Sequence, residues 1–206
     1  MAAALGLRIA IDTRPPVIVG DRRQVDPAHA RCAGAMRTAL ARSGLACATE
    51  LAVADGPVRG WIDLVAYRAA TRRLVVVEVK TQLTDLGGLE RQVELYARTC
   101  LPATRALDWR PSEILVVVAV LATADVDAFV LANRAPLAHS FPCRGDRLVA
   151  AMLGDGPITG RGLAMIDPVR RGRRLFVSTR ADGRRSPAPY RGYADFMNVV
   201  RGPRRG

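Results

Sequence analysis

Three residues within Gly60–Thr81, GWIDLVAYRAATRRLVVVEVKT, are of types that can act together on one bond: Asp63, Glu78 and Lys80. Two carboxylates held close repel each other unless a proton or a cation comes between them. Hard divalent ions such as Mg²⁺ take oxygen ligands and keep several waters. A lysine beside such an ion can orient or deprotonate a metal-bound water, or stabilise charge developing on a phosphoryl oxygen. The set suits phosphodiester hydrolysis. The bland alternative is a surface hairpin on which Glu78 and Lys80 are ordinary solvated charges, since a Glu-x-Lys triplet is common.

Composition favours the chemical reading. Of the 31 Lys and Arg residues all are arginine except Lys80. Lysine is a compact point charge that can lose its proton, whereas arginine stays protonated and forked, so a chemical role would explain a lone lysine here.

The elements that must position these residues follow from the pattern. The runs Trp61–Tyr67 and Leu74–Thr81, rich in Val and flanking a short polar connection, read as a β-hairpin. A turn centred between Ala70 and Thr71 sets Asp63 opposite Glu78, on the face that Lys80 shares, while Val75, Val77 and Val79 point to the other. A preceding strand, Cys47–Ala54, would bring Glu50 opposite Asp63 if its loop is centred between Gly56 and Pro57; a slip of one residue sends it to the other face. Glu50 is thus either a third ligand or a solvated strand carboxylate. Upstream, Asp26-Pro27 opens a helix that Gly44 closes, with Cys32, Ala33, Met36 and Leu40 as its buried stripe and Arg31, Arg37 and Arg42 elsewhere on its surface. Downstream, Thr84-Asp85 caps a helix to about Cys100, with Leu89, Val93, Tyr96 and Cys100 buried. Gln92 and Tyr96 lie one turn apart on it, so Gln92 can reach the rim of the hairpin site with Tyr96 beneath; a surface glutamine on an amphipathic helix is the plainer reading. Ile114–Leu121 is a buried strand.

The order Asp63, then Glu78-Val79-Lys80 at the end of an apolar strand, resembles the PD-(D/E)xK nuclease superfamily, and Gln92-Val93-Glu94-Leu95-Tyr96 is similar to the Q-x-x-x-Y motif of its exonuclease-like branch. The likeness covers roughly residues 26–122. It implies an α/β fold with a restriction-endonuclease-like αβββαβ core and a mixed central sheet. It further implies a Mg²⁺ or Mn²⁺ ion held by Asp63, Glu78 and the Val79 carbonyl, with Lys80 serving the attacking water and Gln92 and Tyr96 bordering the site. Ile62 stands where the family has its proline, and in several relatives the first helix supplies a further metal-binding glutamate, whereas the body of this one has no acid. That departure supports the second class of function, a non-catalytic DNA-binding or regulator-associated module that keeps the nuclease fold.

The 206 residues, half of them hydrophobic, can form one substantial core. The reading divides them into an edge strand (Leu7–Ile11) and linker over 1–25, the nuclease-like core over 26–142, a helix and hairpin extension over 143–180, and a basic, loosely ordered tail over 181–206. A net charge of +12 favours a polyanionic partner such as nucleic acid, and the resemblance implies DNA before RNA. The longest apolar run, Ile114–Ala124, is too short to span a bilayer, and the N-terminus lacks a signal-peptide pattern, so no membrane partner and a cytoplasmic location are expected. Whether the chain acts alone or as a homodimer is open. Cys32, Cys47, Cys100 and Cys143 are scattered without zinc spacing and read as reduced core thiols. His29, in the first turn of the first helix, and His139 are read as non-catalytic. Asp125–His139 reads as helix broken near Pro136, Arg147–Leu153 as a short helix, and Leu163–Asp167 with Leu175–Thr179 as a hairpin. Its tip, Arg170, Arg171, Arg173 and Arg174, can lie on phosphates or be a solvated turn. Tyr190 and Tyr193 beside Arg184 and Arg191 can stack on bases or belong to a disordered tail.

Overall fold

The computed structural model describes residues 17–19, 26–170, 174–178 and 188–201. The elements run β1 (Val17–Val19), α1 (Pro27–Arg42), β2 (Ala46–Asp55), β3 (Val58–Arg68), β4 (Arg73–Lys80), α2 (Leu86–Thr104), β5 (Glu113–Leu121), α3 (Ala124–Ala132), α4 (Arg134–Ser140), α5 (Gly145–Leu153), β6 (Gly162–Ile166), β7 (Phe176–Val177) and α6 (Tyr193–Arg201). The fold is α/β. From α1 to β5 the order is αβββαβ, with β2, β3 and β4 an antiparallel meander and β5 parallel to β4. The mixed sheet continues through β6, parallel to β5, to β7, antiparallel to β6.

Local chemistry sets the ends of these elements. Asp26 accepts the Ala28 N–H at 2.9 Å, Pro27 fills a helical position that needs no donor, and Gly44 leaves α1 with φ +81°. Asp85 caps α2 by accepting the Gly88 N–H. Between β2 and β3 the loop is only Gly56-Pro57. Gly56 supplies the positive φ of +57° and proline the fixed negative one, which suits a type II′ hairpin.

Alternation along the strands divides the core between two faces. On one side Leu64, Ala66, Val75, Val77 and Val79 pack with Cys32, Met36 and Leu40 of α1, with α5 and with Phe196 and Met197 of α6. On the other, Val65, Leu74, Val76 and Val118 pack with Leu89, Val93, Tyr96 and Cys100 of α2 and with Val126, Val130 and Leu137 of α3 and α4. β5, flanked by parallel neighbours, is buried from Leu115 to Leu121.

Three expectations change. The break expected near Pro136 falls at Asn133, and Pro136 sits in the first turn of α4, where a missing N–H costs no helical bond. Residues 188–201, read as loose tail, instead carry α6, whose Phe196 and Met197 fill a gap beside α1 and outweigh the basic composition. Of the two tyrosines there, Tyr190 does not present a free ring, being buried and donating to Asp167 at 2.6 Å, and Tyr193, half-buried, donates to Asp26 at 2.6 Å. The expected strand Leu7–Ile11 lies outside the described residues.

Candidate functional site

β3 meets two partners on one side. Val58–Gly60 pair with β1, and Leu64–Arg68 pair with β4. Between them residues 61–63 have no strand partner on that side, so β3 and β4 fork beyond Leu64 and Val77. Unpaired backbone groups in a folded interior need other partners, and side chains of the candidate site supply them. Asp63 Oδ2 accepts the Val79 N–H at 2.7 Å, and the Trp61 carbonyl accepts the Tyr96 hydroxyl at 2.6 Å.

The hairpin register is the expected one, Leu64 against Val77, and Asp63 and Glu78 are the next residues on each strand. Glu78 is 2% exposed, its Oε1 is 2.7 Å from Lys80 Nζ, and its Oε2 is buried without a hydrogen-bond partner. Lys80 Nζ also donates to Gln92 Oε1 at 3.0 Å, and Gln92 Nε2 donates to the Tyr96 hydroxyl at 2.7 Å. The lysine is therefore clamped between a carboxylate and an amide. Burial pushes the Glu78 carboxyl up to about 8, the neighbouring Asp63 charge adds to the rise, and Lys80 opposes it. Burial, then the Glu78 charge, also raises the Tyr96 hydroxyl, which stays protonated and able to donate.

The structure thus brings Asp63, Glu78, Lys80, Gln92 and Tyr96 together, and it adds a residue that the sequence reading set aside. His29, buried in the first turn of α1, places Nε2 3.2 Å from Asp63 Oδ2 but off the line of a hydrogen bond. Its burial there differs from the surface or half-buried position expected of it. The signal was faint: His29 lies 34 residues before Asp63, and only the crossing of α1 over the sheet joins them. Asp26 fixes that crossing by accepting from Ala28, Thr81 and Tyr193, which ties the start of α1 to the end of β4.

Glu50 falls opposite Asp63, between the pairs Thr49–Leu64 and Leu51–Ile62, as the Gly56-Pro57 turn requires. It is exposed, and no hydrogen bond or ion pair joins it to the cluster among the described residues. Its φ is +53°, a left-handed conformation that costs a side-chain-bearing residue about 1–2 kcal/mol. Glu50→Gly is expected to raise the Tm by about 2–4 °C and leave Mn²⁺ affinity unchanged in calorimetry; weaker binding would make Glu50 a ligand. At the other end of the chain, Arg170 and Arg174 are exposed, while Arg171 and Arg173 lie outside the described residues.

A divalent ion fits this chemistry in part. Two adjacent carboxylates offer hard oxygen donors, and Glu78 Oε2 is a buried oxygen with nothing bound to it. Among the described residues no group of three or more His, Cys, Asp and Glu side chains is arranged as a metal site. An ion there would draw its remaining ligands from backbone and water, as Mg²⁺ commonly does. No helix among the described residues is long and apolar enough to cross a membrane. Compared with known proteins, the chain matches no family model, no curated protein and no solved structure.

Proposed function

We propose that this protein hydrolyses phosphodiester bonds of nucleic acid, DNA in the first instance, with Mg²⁺ or Mn²⁺ as cofactor. The observation that carries the reading is the buried, unpartnered Glu78 oxygen beside Asp63 and the chain's one lysine. Asp63, Glu78 and the Val79 carbonyl would hold the ion, with water completing its shell. The bound ion supplies Lewis acidity and a water of lowered pKa. Lys80, steadied by Gln92, orients the attacking water and offsets charge on the phosphoryl oxygens; Gln92 in turn is set by Tyr96. The αβββαβ order of α1 to β5 and the Glu78-Val79-Lys80 and Gln92–Tyr96 spacings support the likeness to the PD-(D/E)xK superfamily.

The second reading, a non-catalytic nucleic-acid-binding module, is favoured by the acid-free body of α1 and by the shortage of side-chain ligands. Cleavage separates the two. Wild-type protein with Mg²⁺ is expected to cut plasmid or single-stranded DNA and to stop on chelation, and Lys80→Ala to lower the rate by about 10²–10⁴-fold. Equal rates in the two proteins, or none in either, would remove the enzyme reading.

A further inference from the structure

An open groove of about 510 Å³ runs along the outer side of α1 to the turn that follows β6. Arg31, Arg37 and Arg42 line it from the helix and Arg170 from the turn, over a floor that includes Gly34 and Ala35. Among the described residues, no acidic and no aromatic side chain lines it. All four arginines are exposed, and none forms an ion pair among the described residues, whereas Arg68, Arg73, Arg91, Arg98, Arg110 and Arg161 each sit within 4.0 Å of a carboxylate. Four charges with no carboxylate partner among the described residues, sharing one groove, would repel one another unless an anion lies among them.

We propose that this groove binds the sugar-phosphate backbone of the nucleic acid that the Asp63–Lys80 site acts on. The inference deepens the function proposed above and rests on it for the kind of polymer. Dimensions favour a polymer over a single anion. Arg31 and Arg42 are eleven residues apart on α1, about 17 Å at about 1.5 Å per residue, a length that takes several successive phosphates of a strand, whereas a single anion would reach only some of the arginines. The near end of the groove lies at the turn of α1 that carries His29, where the Thr81–Asp26 bond joins the helix to the strand of Lys80. Guanidinium groups on phosphates read no sequence. The groove therefore holds a strand in place without selecting its sequence.

The test is fluorescence anisotropy of the full chain, in EDTA so that no cleavage occurs, with labelled oligothymidylate and with a mixed-sequence duplex at several salt concentrations. Arg31→Ala/Arg37→Ala/Arg42→Ala is expected to raise the Kd by about 10-fold or more and to flatten the salt dependence for the single strand by about 2. Replacing the three by lysine should keep most of the affinity. A control with the same charge loss on exposed arginines outside the groove, Arg105→Ala/Arg110→Ala/Arg134→Ala, should stay within about 2-fold of wild type. Wild-type protein that binds neither probe, a groove variant that binds like wild type, or equal losses in groove variant and control would each overturn the proposal. Failure of the nuclease reading would look different: the groove variant would lose binding although wild type with Mg²⁺ cuts nothing. Cleavage with Mg²⁺ that is undiminished in the groove variant would instead sink the groove alone.

Discussion

Mn²⁺ affinity is expected to climb about tenfold per pH unit from pH 6 to about 8 and then level off, and Glu78→Gln to lose both the binding and the pH dependence. The cause is competition between a proton and an ion for one carboxylate. In an unfolded chain this carboxyl releases its proton near 4.5, and in the fold it does so only at about 8. Between these values the folded state keeps a proton that the unfolded state has given up, so without metal the stability contribution is fully present below about 4.5 and is lost as pH rises towards 8. Saturating Mn²⁺ should remove that decline, because the ion replaces the proton between the two carboxylates. Glu78→Gln is uncharged at every pH, so its metal-free melting temperature should exceed that of wild type above pH 8. Calorimetry across pH, with thermal melts in EDTA, checks both arms. Wild-type affinity that stays flat from pH 6 to 8, or a Gln variant that binds Mn²⁺ as well as wild type, would show that Glu78 is not a ligand.

A comparable loss, this time of stability, is expected from Arg73→Ala at the opposite end of β4. Arg73 is buried, and its guanidinium donates to the carbonyls of Ala151 at 3.0 Å and Gly156 at 2.8 Å and to Glu113 Oε2 at 2.9 and 3.0 Å. It is the clasp between the sheet and the end of α5. Truncation leaves the buried Ala151 carbonyl and the half-buried Gly156 carbonyl without this donor, at about 1–3 kcal/mol each, for a total of roughly 3 kcal/mol and a fall in Tm of about 6–12 °C. Lysine keeps the charge but not the fork, so Arg73→Lys should fall between. Seven residues of strand, about 23 Å, separate Arg73 from Lys80, and Mn²⁺ affinity measured below the melting range should not change. A melting temperature within about 2 °C of wild type would show that the clasp contributes little.

What the sequence disclosed follows from how local each determinant is. The pairing of β3 with β4 was legible because a short turn leaves few registers and the apolar alternation selects among them; the observed pairs Leu64–Val77 and Val65–Val76 are those expected. The pairing of β2 with β3 has the register considered, yet Gly56-Pro57 looked like part of a longer loop because the polar residues Asp55 and Arg59 hid the strand ends. His29 was missed because its partner is set by how a helix lies across a sheet, which no spacing records. α6 was missed for a different reason: its apolar stripe, Phe196, Met197 and Val200, is short and sits among Arg and Gly residues, and only the hollow beside α1 makes the helix worth forming. The backbone conformation of Glu50 left no trace in its residue type, since the left-handed region favours glycine.

The fork between β3 and β4 also sorts the cluster by what would outlast its chemistry. Asp63 and Tyr96 each mend a torn stitch of the sheet, at the Val79 amide and the Trp61 carbonyl. Lys80 mends none: among the described residues its polar partners are the side chains of Glu78 and Gln92. A descendant of this chain that had abandoned hydrolysis would still need the aspartate and the tyrosine to stay folded, whereas nothing in the sheet would hold on to its solitary ammonium group.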